Sequence, residues 1–214
     1  MRGKLAGSSA FVNNGMIGLW LIAAFLLGSI PVGLFSAKWI AGVDPRTAGS
    51  GNIGFTNVLR VSSKLAAAVT LIGDFGKGAL AVYLAQRFAG RWPSLELGVG
   101  LAAVAGHIYT PFLKFKGGKG VATAIGALLM AMPLVALILV IVWGVVLAAS
   151  SYVSLASIVA SLVLPVAMML FTSNLIVIGC GVGMAALIIL RHRENIQRLQ
   201  AGVEHRIGRS APSS

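Results

Sequence analysis

Acidic residues are scarce in this chain: five Asp and Glu in 214 residues, against 17 Lys and Arg. Those five, Asp44, Asp74, Glu96, Glu194 and Glu204, are scattered, which leaves no carboxylate cluster for metal-assisted phosphate hydrolysis. No Ser-His-Asp set is evident. Cys180 is the single cysteine and lies in an apolar run, which excludes an internal disulfide, a cysteine zinc cluster and a redox thiol pair. Charge of either sign makes up only 10% of residues, against about a quarter in a soluble domain.

What is there is apolar. At 57% hydrophobic, most of the chain must lie in lipid. The net charge of +12 does not call for a nucleic acid partner, because the basic residues fall between long apolar runs, where the positive-inside rule places them. Residues 16–35 lack a small-residue cleavage site and read as a retained helix, not a signal peptide.

A span needs roughly 20 apolar residues. Residues 16–40, 65–86 and 96–113 supply the first three. From 120 to 190 there is no charged residue, and lysines at 114, 116 and 119 and arginines at 191 and 193 bracket the run. Both ends therefore face the cytoplasm, an even number of crossings is required, and 71 residues are too many for two. Four fit, divided at Pro133, at Ser150-Ser151-Tyr152 and at Thr172-Ser173-Asn174. The expectation is an all-α polytopic membrane protein of seven transmembrane helices with its active-site loops on the cytoplasmic side. Residues 1–15 form a polar extracytoplasmic extension, 16–200 the transmembrane domain, and 201–214 a polar, mobile cytoplasmic tail. The first late segment, 120–131, is short for a bilayer, so its start lies below the membrane surface.

Three cytoplasmic segments carry more chemistry than connectors need. The first runs Gly49-Ser50-Gly51-Asn52-Ile53-Gly54-Phe55-Thr56-Asn57-Val58-Leu59-Arg60. Its glycines let backbone amides approach an anion, and Ser50, Asn52, Thr56 and Asn57 can add hydrogen bonds. A glycine-rich turn ahead of a capped helix explains it equally well on residues alone. The second, Lys114-Phe115-Lys116-Gly117-Gly118-Lys119-Gly120, runs into the short helix, whose positive end favours an anion beside Lys119. It is not a nucleotide P-loop, which needs glycine where Leu113 stands and Ser or Thr where Gly120 stands. In the third, Arg191-His192-Arg193-Glu194-Asn195-Ile196-Gln197-Arg198, His192 and Asn195 share a face if the helix continues. Within the membrane, Asp74 and Lys77 are spaced to neutralise each other, and His107 either orients a loop or packs neutral in an interface. Ser150, Ser151, Ser154 and Ser157 lie at the cytoplasmic end of two spans, where they either face the site or bond between helices.

Taken together, Gly49-Ser50-Gly51-Asn52-Ile53-Gly54, Gly117-Gly118-Lys119-Gly120-Val121-Ala122-Thr123 and Arg191-His192-Arg193-Glu194-Asn195-Ile196 resemble the bacterial acyl-phosphate-dependent glycerol-3-phosphate acyltransferases, the PlsY family. The resemblance runs from about residue 26 to 206 and includes Asp74-Phe75-Gly76-Lys77-Gly78 and Gly106-His107. It departs from the family pattern at Phe55, where a small residue is expected, and at Pro111, one place late. The resemblance implies transfer of a fatty acyl chain from acyl-phosphate to glycerol 3-phosphate at the inner (plasma) membrane, giving lysophosphatidic acid and phosphate without coenzyme A, acyl carrier protein, metal or other cofactor. The implied partners are the two substrates, the bilayer and the soluble enzyme that makes acyl-phosphate.

By the same resemblance Ser50, Lys119, His192 and Asn195 are catalytic. Gly49, Gly51, Asn52, Gly54, Thr56, Asn57, Arg60, His107, Gly117, Gly118, Gly120, Ser154, Ser157 and Arg191 bind substrate. Ser50 and the second loop would hold acyl-phosphate, while Arg60, His192 and Asn195 would hold or activate glycerol phosphate. A transporter or channel for anionic solutes is the alternative, but it would need ionisable groups deep in several spans, and only Asp74 and Lys77 qualify.

Overall fold

The structure, a computed structural model, describes residues 14–207. Helices make up the fold, with no strand among the described residues. In order they are α1 (Asn14–Ser29), α2 (Val32–Ala41), α3 (Phe55–Val61), α4 (Lys64–Ala89), α5 (Pro93–Ile108), α6 (Val121–Ala131), α7 (Pro133–Ser150), α8 (Val153–Met169), α9 (Leu175–Arg191) and α10 (Arg193–Gln200). The expected N-terminal extension, with Arg2 and Lys4, and the tail beyond residue 207 lie outside the described residues.

Three stretches are individually long and apolar enough to cross a membrane: 15–41, taken through the α1–α2 joint, then α4 and α7. The α9–α10 pair, bent by 56° where they meet, makes a fourth if read as one. The others are short; α6 has 11 residues, a rise of only about 16 Å. The joints of the uncharged stretch fall at Pro133 and at its polar clusters, Ser151-Tyr152 and 170–174, while its other proline, Pro165, lies inside α8. Two expected segments are not continuous. The first breaks at Ile30-Pro31, because proline lacks the N–H that would continue α1. The third stops at Ile108, and residues 109–113 turn away, ending in the 3-10 turn Pro111–Leu113 while Thr110 Oγ1 donates to Ser29 O at 2.7 Å.

Packing follows membrane rules, with small residues inside and large ones outside. Gly28 and Gly106 lie against the backbone of Ala103 and Phe25, and Gly78 and Gly126 against that of Thr123 and Phe75. Any β-carbon would collide there, so glycine lets α1 close on α5 and α4 on α6. Buried alanines such as Ala37, Ala67, Ala85 and Ala103 fill the interior, while Leu19, Ile72, Val145, Val166 and Leu175 stand outward. In water such a surface would aggregate; in lipid it is solvated. Helix α5 sits centrally, packed on α1, α4, α6 and α9, so its C-terminal end lies beneath the loop that enters α6.

Candidate functional site

The first polar segment is organised by one side chain. Asn57, buried on α3, accepts from Ser50 N at 2.8 Å and donates Nδ2 to the carbonyls of Pro45, Ala48 and Asn52 at 2.8, 3.2 and 2.8 Å. It therefore holds the loop together, its side chain engaged by the main chain of residues 45–52. Gly49 and Gly51 turn left-handed, with φ of 61° and 67°, and Asn52 Oδ1 accepts from Gly54 N at 2.8 Å. Thr56 is half-buried in the first turn of α3, ahead of Arg60. Ser50 is left exposed at the loop surface. Upstream, the Arg46 guanidinium and main chain, with Lys38, hold the Asp44 carboxyl below the usual carboxylate range against the opposing effect of burial.

The second segment folds back on α5. Gly117 N donates to Ile108 O at 3.0 Å and Gly118 N to His107 O at 3.1 Å, so these two amides are consumed within the protein. Their carbonyls are held from the other side by Arg191, whose Nη2 and Nε donate to Gly117 O and Gly118 O at 2.8 and 3.2 Å. Arg191 is thus a strap on the loop. The amides of Lys119 and Gly120 have no hydrogen-bond partner among the described residues, and Gly120, at φ 85°, turns the chain into α6. The amides of this loop that stay open to an outside acceptor are those of Lys119 and Gly120, beside the first turn of α6.

His107 lies behind this loop. It is 4% exposed beneath Gly118, with Nδ1 3.5 Å from Asp74 Oδ1, which itself lies 2.8 Å from Lys77 Nζ.

The third segment does not continue one helix. His192 closes α9, with φ −96° and ψ 7°, and α10 begins at Arg193. His192 and Asn195 are nevertheless both buried, and Asn195 Oδ1 accepts a hydrogen bond from Lys119 Nζ at 2.6 Å. Burial, partly offset by Glu204, pulls the Lys119 ammonium down to about 8. Burial and then the Lys119 charge push His192 down to about 4. Its Nδ1 lies 2.7 Å from Ile188 O, and since a carbonyl only accepts, Nδ1 carries the proton and Nε2 keeps a lone pair.

Glu204 completes the cluster, although the sequence places it in the polar tail expected to be mobile. Its Oε1 accepts from Asn195 Nδ2 at 2.6 Å and Ser154 Oγ at 2.8 Å, and its Oε2 from Arg198 Nε at 2.7 Å. Burial raises its pKa, but the bonds from Arg198, Asn195 and Ser154 outweigh that and hold it below the usual carboxylate range. Arg60 lies within electrostatic reach of Glu204 and Arg198, which links the first segment to the third. The segment before residue 208 is docked, with Ile207 N donating to Ser151 O at 2.9 Å. The available signal was the rarity of acids itself: one glutamate in a basic tail asks for a partner.

Of the serines, only Ser154 joins this cluster. Ser157 Oγ donates to Val153 O at 2.8 Å, accepts from Trp143 Nε1 at 3.1 Å, and lines an apolar cavity of about 20 Å³ with Val121, Leu128, Leu139 and Leu164. Through Trp143 it ties α8 to α7.

Two arms, one carrying Lys119 and one carrying His192 and Asn195, thus meet in a single basic cluster. A sequence profile described as glycerol-3-phosphate acyltransferase matches residues 18–202. The chain is 45% identical over 193 residues to the glycerol-3-phosphate acyltransferase of Carboxydothermus hydrogenoformans, covering 90% of this chain and 97% of that one. With the enzyme of that name from Dechloromonas aromatica it shares 48% over 195 residues, 90% of this chain and 96% of the other. The fold matches crystal structures of PlsY, an integral membrane glycerol 3-phosphate acyltransferase, at 42% identity. The TM-score is 0.84 for the glycerol 3-phosphate form and 0.82 for the lysophosphatidic acid form, with 90% of this chain covered in each and 96% and 95% of theirs. On the sequence match across most of its length, this chain belongs to the glycerol-3-phosphate acyltransferase family.

Proposed function

We propose that this protein transfers a fatty acyl group from acyl-phosphate to glycerol 3-phosphate, giving lysophosphatidic acid and inorganic phosphate. The observation that carries the reading is the meeting of Lys119 and Asn195, 76 residues apart in sequence, at 2.6 Å in a buried basic cluster. It is supported by family membership and by the likeness to an enzyme crystallised with glycerol 3-phosphate. An anionic-solute transporter has no comparable support from the family or from the related structures.

In this reading the glycerol hydroxyl attacks the acyl carbonyl carbon. The new ester C–O bond forms as the bond from that carbon to the phosphate oxygen breaks, and phosphate leaves with the electron pair. Phosphate is already a good leaving group, so the protein's task is to place two anions and stabilise developing charge. Lys119, the free amides at Lys119 and Gly120, and Ser50 suit the acyl-phosphate. Arg60, Asn195 and Ser154 suit glycerol phosphate. The hydroxyl proton goes either to neutral His192 at Nε2 or to a substrate phosphate oxygen. Asn57, Arg191 and His107 act behind these groups, on the loops that carry them.

Around this site we infer seven spans in the inner membrane, the N-terminus outside and the site and C-terminus cytoplasmic, by charge parity. The domain runs 16–200 by that count, although Glu204 brings the start of the tail into the site. A soluble enzyme that makes acyl-phosphate would deliver the donor there. The test is donor choice: purified protein is given labelled glycerol 3-phosphate with acyl-phosphate or with an acyl thioester of the same chain. Lysophosphatidic acid from acyl-phosphate alone supports the reading; product from the thioester alone refutes it.

A further inference from the structure

One buried charged cluster has no part in the reaction as drawn. Asp74 and Lys77 form an ion pair at 2.8 Å with both side chains 5% exposed, in helices where an uncompensated charge is costly. Lys77 Nζ also donates to Ile30 O at 2.9 Å, at the carbonyl beside the Pro31 break, and Thr123 Oγ1 on α6 donates to Asp74 O at 2.9 Å. The cluster therefore fixes the α1–α2 joint, α4 and α6 to one another. Its other polar contacts on these helices are with backbone carbonyls and a threonine.

The remaining neighbour is His107. One edge of its ring, at Nδ1, lies 3.5 Å from Asp74 Oδ1, and Nδ1 has no closer partner among the described residues. The other edge lies directly under Gly118: a β-carbon there would run into Nε2, 2.8 Å from Cε1 and 3.0 Å from Cδ2. The ring thus stands between a carboxylate anchored by Lys77 and the main chain one residue before Lys119. Arg191 clamps the same peptide units from the opposite side.

We propose that Asp74, Lys77 and His107 form a buried strut that sets the height of the Gly117–Gly118 main chain and so the position of Lys119, with His107 as the positioning residue. This deepens the reading of Lys119 as the acyl-phosphate-binding cation and rests on it. All three side chains are buried, so the strut acts through the main chain above it.

The decisive variant is His107→Asn, whose amide nitrogen can keep a donor toward Asp74 while the part of the ring beneath Gly118 is removed. It is compared with Gly118→Ala and with the double variant in purified full-length protein. Two quantities are read: Lys119 labelling by a water-soluble amine reagent, followed by peptide mass spectrometry, and steady-state kinetics with both substrates. For His107→Asn the expected result is labelling about threefold faster and kcat/KM for acyl-phosphate about tenfold lower, with KM for glycerol 3-phosphate unchanged. In the double variant the alanine methyl enters the vacated space, and the loss is smaller than the product of the two single losses. Labelling and kinetics of His107→Asn equal to wild type, or losses that simply multiply, overturn the strut. If His107→Asn does not accumulate as folded protein, Gly118→Ala decides alone: faster Lys119 labelling supports the strut and unchanged labelling overturns it. Absence of acyl transfer by the wild type would remove the reaction but leave the labelling result standing.

Discussion

Lys119 Nζ donates to Asn195 Oδ1 at 2.6 Å, and the same amide group donates through Nδ2 to Glu204 Oε1 at 2.6 Å. One asparagine thereby holds a cation on one side and a carboxylate on the other. The carboxylate reaches the lysine through an orienting amide, which leaves the ammonium with donors to spare for an anionic substrate.

The first prediction concerns pH. Burial brings Lys119 down to about 8, so the charged form is lost as pH rises through that value in the free enzyme. The log of kcat/KM for acyl-phosphate should fall with unit slope above about pH 8. Lys119→Arg, if it retains measurable turnover, should lose this limb because guanidinium stays charged. Because the folded pKa lies below the unfolded one, the cost of burying this charge is fully present below about 8 and disappears as pH rises toward 10.5. A limb that persists in Lys119→Arg would assign it to another group.

His192 gives the second. With a folded value near 4 against 6.5, it is neutral at physiological pH and able to accept a proton. Its contribution to stability is present above 6.5 and is lost as pH falls from there through about 4. The rate profile should therefore be flat between about pH 5 and 7, and His192→Ala should lower kcat by about 10² to 10⁴ if it is the base. A wild-type acid limb centred at 6.5 would contradict the neutral assignment.

Glu204 carries the third. Glu204→Ala leaves Asn195 Nδ2, Ser154 and Arg198 without their shared acceptor, a loss of about 1–3 kcal/mol for each group left buried and unpaired. The expected result is a lower unfolding temperature together with a raised KM for glycerol 3-phosphate. Truncation after residue 203 should have the same effect. A truncated protein with wild-type kinetics would show the docked tail to be dispensable.

The fourth tests the first loop. Asn57→Asp turns a donor that serves three carbonyls into an oxygen facing them, so three attractive contacts become repulsive. Protease should cut at Arg46 faster and activity should fall at least tenfold, on the order of what loop misplacement costs. Unaltered proteolysis would mean the loop is held by something else.

Much of this architecture was legible because lipid makes sequence explicit. An uncharged run from 120 to 190, closed by lysines and arginines, is too long for one or two spans, and Pro133 and its two polar clusters are where α6 to α9 meet, while Pro165 stays inside α8. The three polar loops were visible for the same reason, being out of place between apolar helices. What stayed hidden was which polar atoms were already spent. Asn57 and the Gly117 and Gly118 amides look like anion ligands in a string of letters, yet Asn57 is spent on the loop before it and the two amides on the end of α5. Polar groups near a membrane must find partners, and local ones are often nearest. Glu204 was hidden for the opposite reason: its partners lie 6, 9 and 50 residues away, and no periodicity connects them. The resemblance to a known family named the reaction; the charge pattern alone reached only an anion clamp.

The most direct measurement is the initial rate of lysophosphatidic acid formation from acyl-phosphate and labelled glycerol 3-phosphate, by purified wild type and by Lys119→Ala at matched folded concentration. The account predicts steady product and equimolar phosphate from the wild type, and a loss of at least about 10² in Lys119→Ala, as for removal of a charge that stabilises the transition state. Equal rates in the two proteins would contradict it.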